Sequence, residues 1–172
     1  TFREQEAGLP NPVGDSTLAF GDYNGDGYPD LLFCYYDGTD VRTRLFRNRA
    51  GASFADSGIG FPGLSGARIA WGDYNNDGAL DLLLSGHAYA NGQWADYTRI
   101  LRNQGSNFVD SGIALPQARY TPVSWVDFNN DGLLDCAVGQ ALFRHIENGS
   151  FKQVSVFYEG GWRGSHAWGD YN

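Results

Sequence analysis
The feature that most constrains this chain is a nine-residue pattern found complete three times: Asp22-Tyr23-Asn24-Gly25-Asp26-Gly27-Tyr28-Pro29-Asp30, Asp73-Tyr74-Asn75-Asn76-Asp77-Gly78-Ala79-Leu80-Asp81 and Asp127-Phe128-Asn129-Asn130-Asp131-Gly132-Leu133-Leu134-Asp135. A fourth copy begins at Asp170-Tyr171-Asn172. Oxygen-bearing side chains stand at positions one, three, five and nine, and a glycine at position six permits a sharp turn. A hard cation of calcium's size takes this kind of ligand set, with the carbonyl of position seven as a further oxygen. The competing reading is three ordinary Asn/Asp/Gly turns. A bare turn has no need of Asp at both positions five and nine, so the pattern is read as three structural calcium loops.

These loops share the first half of the EF-hand pattern and lack the second. An EF-hand closes with a bidentate Glu at position 12 between helices, where this chain has Phe33, Leu84 and Val138. Apolar runs follow each last Asp instead (Leu31-Leu32-Phe33-Cys34, Leu82-Leu83-Leu84, Cys136-Ala137-Val138) and read as short buried strands. Each loop is therefore expected to be a metal-clamped hairpin turn. A first strand enters it (around 17–20, 68–71 and 123–126) and a second leaves it. A third strand is read at Leu45-Phe46-Arg47, Ile100-Leu101-Arg102 and Leu142-Phe143-Arg144, and a fourth starts at Phe54, Phe108 or Phe151, with Phe2 in the same phase of an earlier copy. Four short strands repeated at a period of roughly 40 to 55 residues are the signature of an all-β fold, the β-propeller, one blade per repeat. Nearly all the length variation falls between the second and third strands.

Composition agrees with that frame. The net charge of -8 comes from 20 acidic and 12 basic residues, and the three carboxylates in each complete loop account for nearly half of the acids. The acidity belongs to the cation sites and argues against a nucleic-acid partner, which needs a basic stripe. The 24 Gly and the 11 Phe, 10 Tyr and 5 Trp suit short strands joined by tight turns. No apolar run reaches the length of a membrane span, so no membrane insertion is expected. Cys34 and Cys136 fall at different phases of their repeats and read as core thiols.

The Asp-x-Asn-x-Asp-Gly-x-x-Asp loop with a preceding Gly-Asp, as in Phe20-Gly21-Asp22 and Trp71-Gly72-Asp73, resembles the FG-GAP family, the calcium-binding blades of integrin alpha-subunit propellers and of many secreted bacterial and fungal proteins. The resemblance implies three structural Ca2+ sites: Asp22, Asn24, Asp26, the Tyr28 carbonyl and Asp30; Asp73, Asn75, Asp77, the Ala79 carbonyl and Asp81; and Asp127, Asn129, Asp131, the Leu133 carbonyl and Asp135. It implies six or seven blades as a rule, whereas this chain offers about three: a fourth strand of a preceding blade in 1–10, blades in 11–60, 61–114 and 115–157, and the first strand of a following blade in 158–172. The chain thus reads as part of a larger propeller. Its remaining blades would come from another chain, a cleaved remainder or self-association. Val126 replaces the glycine of the other copies and removes no ligand.

In an up-and-down blade the metal loops share one end, and the connections between strands two and three, and between blades, share the other. Function is expected on that second end, where the variable segments collect. Its ligand-binding candidates are Tyr35, Tyr36, Arg42, His87, Tyr89, Trp94, Tyr97, Arg119, Tyr120, Trp162 and Arg163. Aromatic rings beside fixed hydrogen-bonding groups suit a glycan or protein ligand. Trp71, Trp125 and Trp168 share a phase and read as blade-to-blade core; Arg47, Arg102 and Arg144 are expected to tie the third strand to a neighbouring carboxylate or carbonyl. His87, His145 and His166 show no ligand spacing, and no catalytic grouping emerges. The expectation is an extracellular, secreted or cell-surface binding module rather than an enzyme. The alternatives are a propeller domain of a polysaccharide-active lyase or dehydratase, or a purely architectural segment of a surface protein.

Overall fold
A computed structural model describes residues 7–90, 92–117, 120–146, 149–156 and 166–168. The strands form three four-stranded antiparallel sheets. The first holds β1 (Thr17–Gly21), β2 (Asp30–Tyr36), β3 (Val41–Asn48) and β4 (Phe54–Gly60). The second holds β5 (Leu64–Gly72), β6 (Asp81–Ala90), β7 (Gln93–Asn103) and β8 (Phe108–Asp110), and the third β9 (Val123–Val126), β10 (Asp135–Val138), β11 (Ala141–Ile146) and β12 (Ser150–Val156). Strand order in each sheet follows the sequence, so every connection is a hairpin. These are blade-like units in series, and no ring closes among the described residues. Among those residues, too, no helix is long and apolar enough to cross a membrane.

The second strand of each sheet is buried on both faces, which explains its unbroken apolar run: Leu31 to Cys34, Leu82 to Leu84 and Cys136 to Val138 all lie in the interior. One face of each such strand meets the neighbouring sheet. Leu32, Cys34 and Leu45 of the first sheet pack with Leu64, Leu82, Leu84 and Leu101 of the second, joined by Tyr23 from the first loop. Leu83, Ile100 and Tyr74 pack in the same way against Cys136, Val138 and Phe143 of the third sheet. Cys34 and Cys136 are both free and buried, and burial pushes the Cys34 thiol up to about 11 and the Cys136 thiol higher still. They are inert core residues at neutral pH.

A tryptophan locks each sheet to the one before it. Trp71 donates its indole N–H to the Ala19 carbonyl at 3.4 Å, and Trp125 donates to Ala70 at 3.3 Å, the same position one repeat later. Each indole lies over the glycine two residues beyond that carbonyl. A Cβ on Gly21 would stand 2.7 Å from the Trp71 ring, and one on Gly72 would stand 2.6 Å from Trp125. The glycine before each loop is thus a packing requirement. At Val126 a Cβ is present, and the Trp168 indole N–H donates to the Ser124 hydroxyl at 2.9 Å. The first sheet has no preceding partner among the described residues: Leu18 and Phe20, in the phase of Ile69 and Trp71, are 51% and 56% exposed.

The connection of variable length differs from the expected loop. In the second sheet β6 and β7 continue as one hairpin, paired from Leu82↔Leu101 out to Ala90↔Gln93. The third strand therefore starts well before Ile100. Cross-strand pairs Tyr89↔Trp94 and His87↔Asp96 supply the reason, since aromatic and polar side chains facing each other hold an extended hairpin together. The strand expected around Phe2 lies outside the described residues, as does the fourth loop at Asp170 and Asn172. Residues 166–168 carry no strand pairing.

Replacing Gly72 with Ala should lower the free energy of unfolding by about 1–3 kcal/mol, the range for overpacking a filled core. Gly60→Ala, where a Cβ meets nothing within 4 Å, should leave it within about 0.5 kcal/mol of wild type. Urea unfolding followed by tryptophan fluorescence reads both, and equal effects would contradict the packing role.

Candidate functional site
The three Asp-rich loops fold alike because the same side chains hold the same backbone groups. In the first, the N–H of Asp26 donates to Asp22 Oδ1 at 3.1 Å, that of Gly27 to Asp22 Oδ2 at 2.7 Å, and that of Tyr28 to Asp26 Oδ1 at 3.0 Å. The second loop repeats these bonds from Asp77, Gly78 and Ala79, and the third from Asp131, Gly132 and Leu133. The asparagine at position three accepts from the same N–H as position one, through Asn24, Asn75 and Asn129. Position four is left-handed in every loop, with φ of 69° at Gly25, 56° at Asn76 and 57° at Asn130. Gly and Asn are the residues that tolerate this conformation best. Asn76 also reaches the Gly132 carbonyl at 3.1 Å, which joins the second loop to the third.

The carboxylate at position nine is the buried one. Asp30, Asp81 and Asp135 are each 0% exposed. Their Oδ1 atoms accept the main-chain N–H of Asn48 at 2.7 Å, Asn103 at 2.8 Å and His145 at 2.7 Å, at the far end of the third strand. Burial raises the pKa of all three, to about 6 for Asp81, and the neighbouring loop carboxylates raise it further while the N–H bond opposes. Oδ2 of Asp135 accepts from Phe128 N–H at 3.2 Å. Oδ2 of Asp81 is buried without a well-formed hydrogen bond among the described residues, and the nearby Tyr74 amide opposes the rise in its pKa. Arg47 donates to Asp26 Oδ2 at 3.0 Å, so the third-strand arginine of the first sheet does reach a loop carboxylate. Among the described residues no group of three or more His, Cys, Asp or Glu side chains comes together as a metal cluster.

The asparagine after the third strand adds a bond that sequence reading missed. Asn103 Nδ2 donates to the Tyr23 carbonyl of the first loop at 2.7 Å and to the Leu80 carbonyl of its own loop at 3.1 Å. Asn48 makes the intraloop bond alone, to Pro29 at 2.9 Å. His145 takes this place in the third sheet and stacks on Phe151 with ring centres 4.6 Å apart. Its Nδ1 has no partner among the described residues, and burial lowers its pKa, which keeps the ring neutral.

The ligand candidates divide at the opposite end. His87, Tyr89 and Trp94 gather on the β6–β7 hairpin, with Trp94 5.1 Å from His87 and 5.2 Å from Tyr89 between ring centres. Tyr89 and Trp94 are 56% and 47% exposed. Tyr35, Tyr36 and Tyr120 line a cavity between the first two sheets. Tyr35 is otherwise packed, its ring 4.8 Å from Phe33. Tyr97 packs on the core between the first two sheets, with the Arg99 guanidinium 5.3 Å from its ring centre. Arg42 is taken up by Asp37 at 2.8 Å and Asp40 at 2.9 Å in the β2–β3 turn, and it holds Asp37 down at about 2. Arg119, Trp162 and Arg163 lie outside the described residues.

Sequence reading also missed Arg68 and Ser65, which line the same cavity. Arg68 was expected only as strand, and its one local signal is the Ser65-Gly66 pair before it.

A blade-like sheet with one Asp-rich loop, repeated in tandem, defines the class. Residues 22–84 match the family model described as FG-GAP-like repeat and form an FG-GAP-type repeat region, from the start of the first loop into β6. No curated protein matches the chain.

Asn103→Ala should cost about 1–3 kcal/mol of stability, since it strands two carbonyls, one of them on another sheet. Asn48→Ala should cost less. Denaturant unfolding of both variants checks the order, and the reverse order would remove the intersheet role of Asn103.

Proposed function
We propose that the chain is a run of calcium-stabilised β-propeller blades that acts outside the cell as a binding module rather than an enzyme, recognising a carbohydrate or protein ligand on the face away from the Asp-rich loops. The residues present fit the cation. Each loop carries an oxygen-bearing side chain at positions one, three, five and nine. Asp81 Oδ2 is a buried carboxylate oxygen short of a partner. Asp22, Asn24, Asp26, the Tyr28 carbonyl and Asp30 would hold one ion, and the corresponding residues of the second and third loops two more. Bound calcium would neutralise the three carboxylates of a loop and so couple metal binding to folding. Loops of hard oxygen donors in extracellular modules are tuned to the high calcium found there.

The observation that carries the ligand reading is the cluster of exposed Tyr89 and Trp94 with half-buried His87 on the β6–β7 hairpin. Exposed rings of this kind bury well against a sugar face or an apolar side chain. Partner blades fit the other exposed surface, because Leu18 and Phe20 stand where the second and third sheets each receive a predecessor.

Calcium at a hundredfold excess over Kd should stabilise the fold by about 2.7 kcal/mol per site, with each kcal/mol worth roughly 2–4 °C in a chain of this size. EDTA should reverse the shift, and Asp77→Ala should diminish it. A melting temperature indifferent to calcium and EDTA refutes the metal assignment. A glycan array and a panel of extracellular proteins, probed with wild type and Trp94→Ala, test the ligand face. Binding that survives Trp94→Ala and is lost on changing the Asp-rich loops without unfolding would reverse the faces.

A further inference from the structure
The cavity between the first two sheets encloses about 470 Å³, within the roughly 300–1,000 Å³ of small-molecule sites. Asp15, Tyr35, Tyr36, Ser65, Arg68 and Tyr120 are among the lining residues with polar groups to offer. They come from the start of β1, the end of β2, the start of β5 and the segment before β9. The cavity therefore lies at the end of the sheets away from the Asp-rich loops.

The backbone is irregular here: the β5–β6 register shifts between Ser65 and Arg68, whereas β1 and β9 begin only at Thr17 and Val123. Gly66 lies in this bulge at φ 58°, and Tyr120 covers it so closely that a Cβ would stand 2.0 Å from the ring. Tyr120 has φ 55°, a conformation that bulky side chains rarely adopt. Bulges re-aim side chains and collect beside binding sites. The side chain that follows this one is Arg68.

Arg68 sets the chemistry of the cavity. Its Nη1 donates to the adjacent Ala67 carbonyl at 2.9 Å. Arg42, Arg44, Arg47 and Arg99 each pair with a carboxylate, but among the described residues none pairs with Arg68. A half-buried guanidinium that makes no ion pair is a site for a planar anion, and a carboxylate matches its fork. The tyrosines supply ring faces, with the Tyr36 hydroxyl already committed to the Gly38 carbonyl at 2.9 Å. Ser65 and Asp15 supply the hydrogen-bonding partners that sugar hydroxyls need. We infer that this cavity binds a uronate, its carboxylate on Arg68 and its ring against the tyrosines. The inference rests on the carbohydrate branch of the function proposed above.

The test compares sodium D-galacturonate with D-galactose, which differ only in carrying a carboxylate or a hydroxymethyl group at C6. Amide NMR titration at low salt should show galacturonate binding about tenfold more tightly, with shifts at residues 65–68 and around Thr17. Arg68→Gln should erase the preference and leave galactose binding and the melting temperature unchanged; Arg68→Lys should keep part of it. Asp15→Asn, which removes a carboxylate from the lining, should tighten galacturonate about two- to threefold, and this arm decides if Arg68→Gln fails to fold. Equal affinity for the two sugars, or a preference that survives Arg68→Gln, overturns the uronate assignment. Shifts confined to the β6–β7 hairpin overturn it while leaving the wider ligand reading intact. Binding of a glutamate-rich peptide through Arg68, with neither sugar bound, also overturns it by moving the carboxylate to a protein partner.

Discussion
A carboxylate with no exposed surface, bonded to the main chain at the far end of the third strand, is the contact on which each sheet depends. Asp30, Asp81 and Asp135 each make it, at 2.7, 2.8 and 2.7 Å. The bond fixes where the second strand leaves its loop and where the third strand ends, and so sets the register between them. Its electrostatics are unfavourable in isolation, because a carboxylate taken out of water loses more solvation than a few amide dipoles return. Burial and the neighbouring loop carboxylates both push its proton affinity up. The loop therefore gathers negative charge at the point where the sheet can least tolerate it unbalanced. A cation held by the same carboxylates would relieve that strain, which makes loop, sheet and metal one device in the proposed function.

Stacking of the sheets depends on a second, steric constraint. Trp71 and Trp125 each span from their own sheet to a carbonyl of the preceding one and close over a glycine. The hydrogen bond sets the height of the indole and the missing Cβ sets the distance. Because both terms recur at the same phase, the second sheet sits on the first as the third sits on the second. Val126 breaks the steric half of this rule, and Trp168 donates to the Ser124 hydroxyl. Asn103 reinforces the same joint from the loop end by reaching Tyr23.

The sequence exposed what is local. Asp, Asn and Gly at fixed offsets announced the turns, and the apolar runs after position nine announced strands buried on both faces. The structure bears out three four-stranded antiparallel sheets and the reading of Cys34 and Cys136 as core thiols. What stayed hidden depends on residues distant in the chain. The glycine before the first two loops reads in sequence only as part of a Gly-Asp motif, yet Gly21 answers to Trp71 and Gly72 to Trp125. Asn103 and Tyr23 are 80 residues apart, and no spacing rule joins them. The β6–β7 extension reads as loop in sequence because the length variation among the copies falls between the second and third strands. Tyr35 and Tyr97 were visible as aromatics, but whether such a ring faces solvent or core is decided by the neighbouring sheet.

The two ends of the sheets carry different constraints. At the loop end three copies obey one hydrogen-bonding scheme, and any change meets a buried carboxylate. At the other end the strands have already satisfied their register, so a bulge or a longer hairpin adds to the sheet without disturbing it. The second sheet uses both freedoms on adjacent strands: Ser65, at the bulge, pairs with His87, the first residue of the aromatic cluster. The bulge that places Arg68 and the hairpin that raises Tyr89 and Trp94 are therefore parts of one continuous surface. Tyr120 completes it from the segment before the third sheet by covering Gly66. A ligand lying across this surface would touch the start of β5, the β6–β7 hairpin and the segment before β9, at the end of those strands away from the Asp-rich loop between β5 and β6.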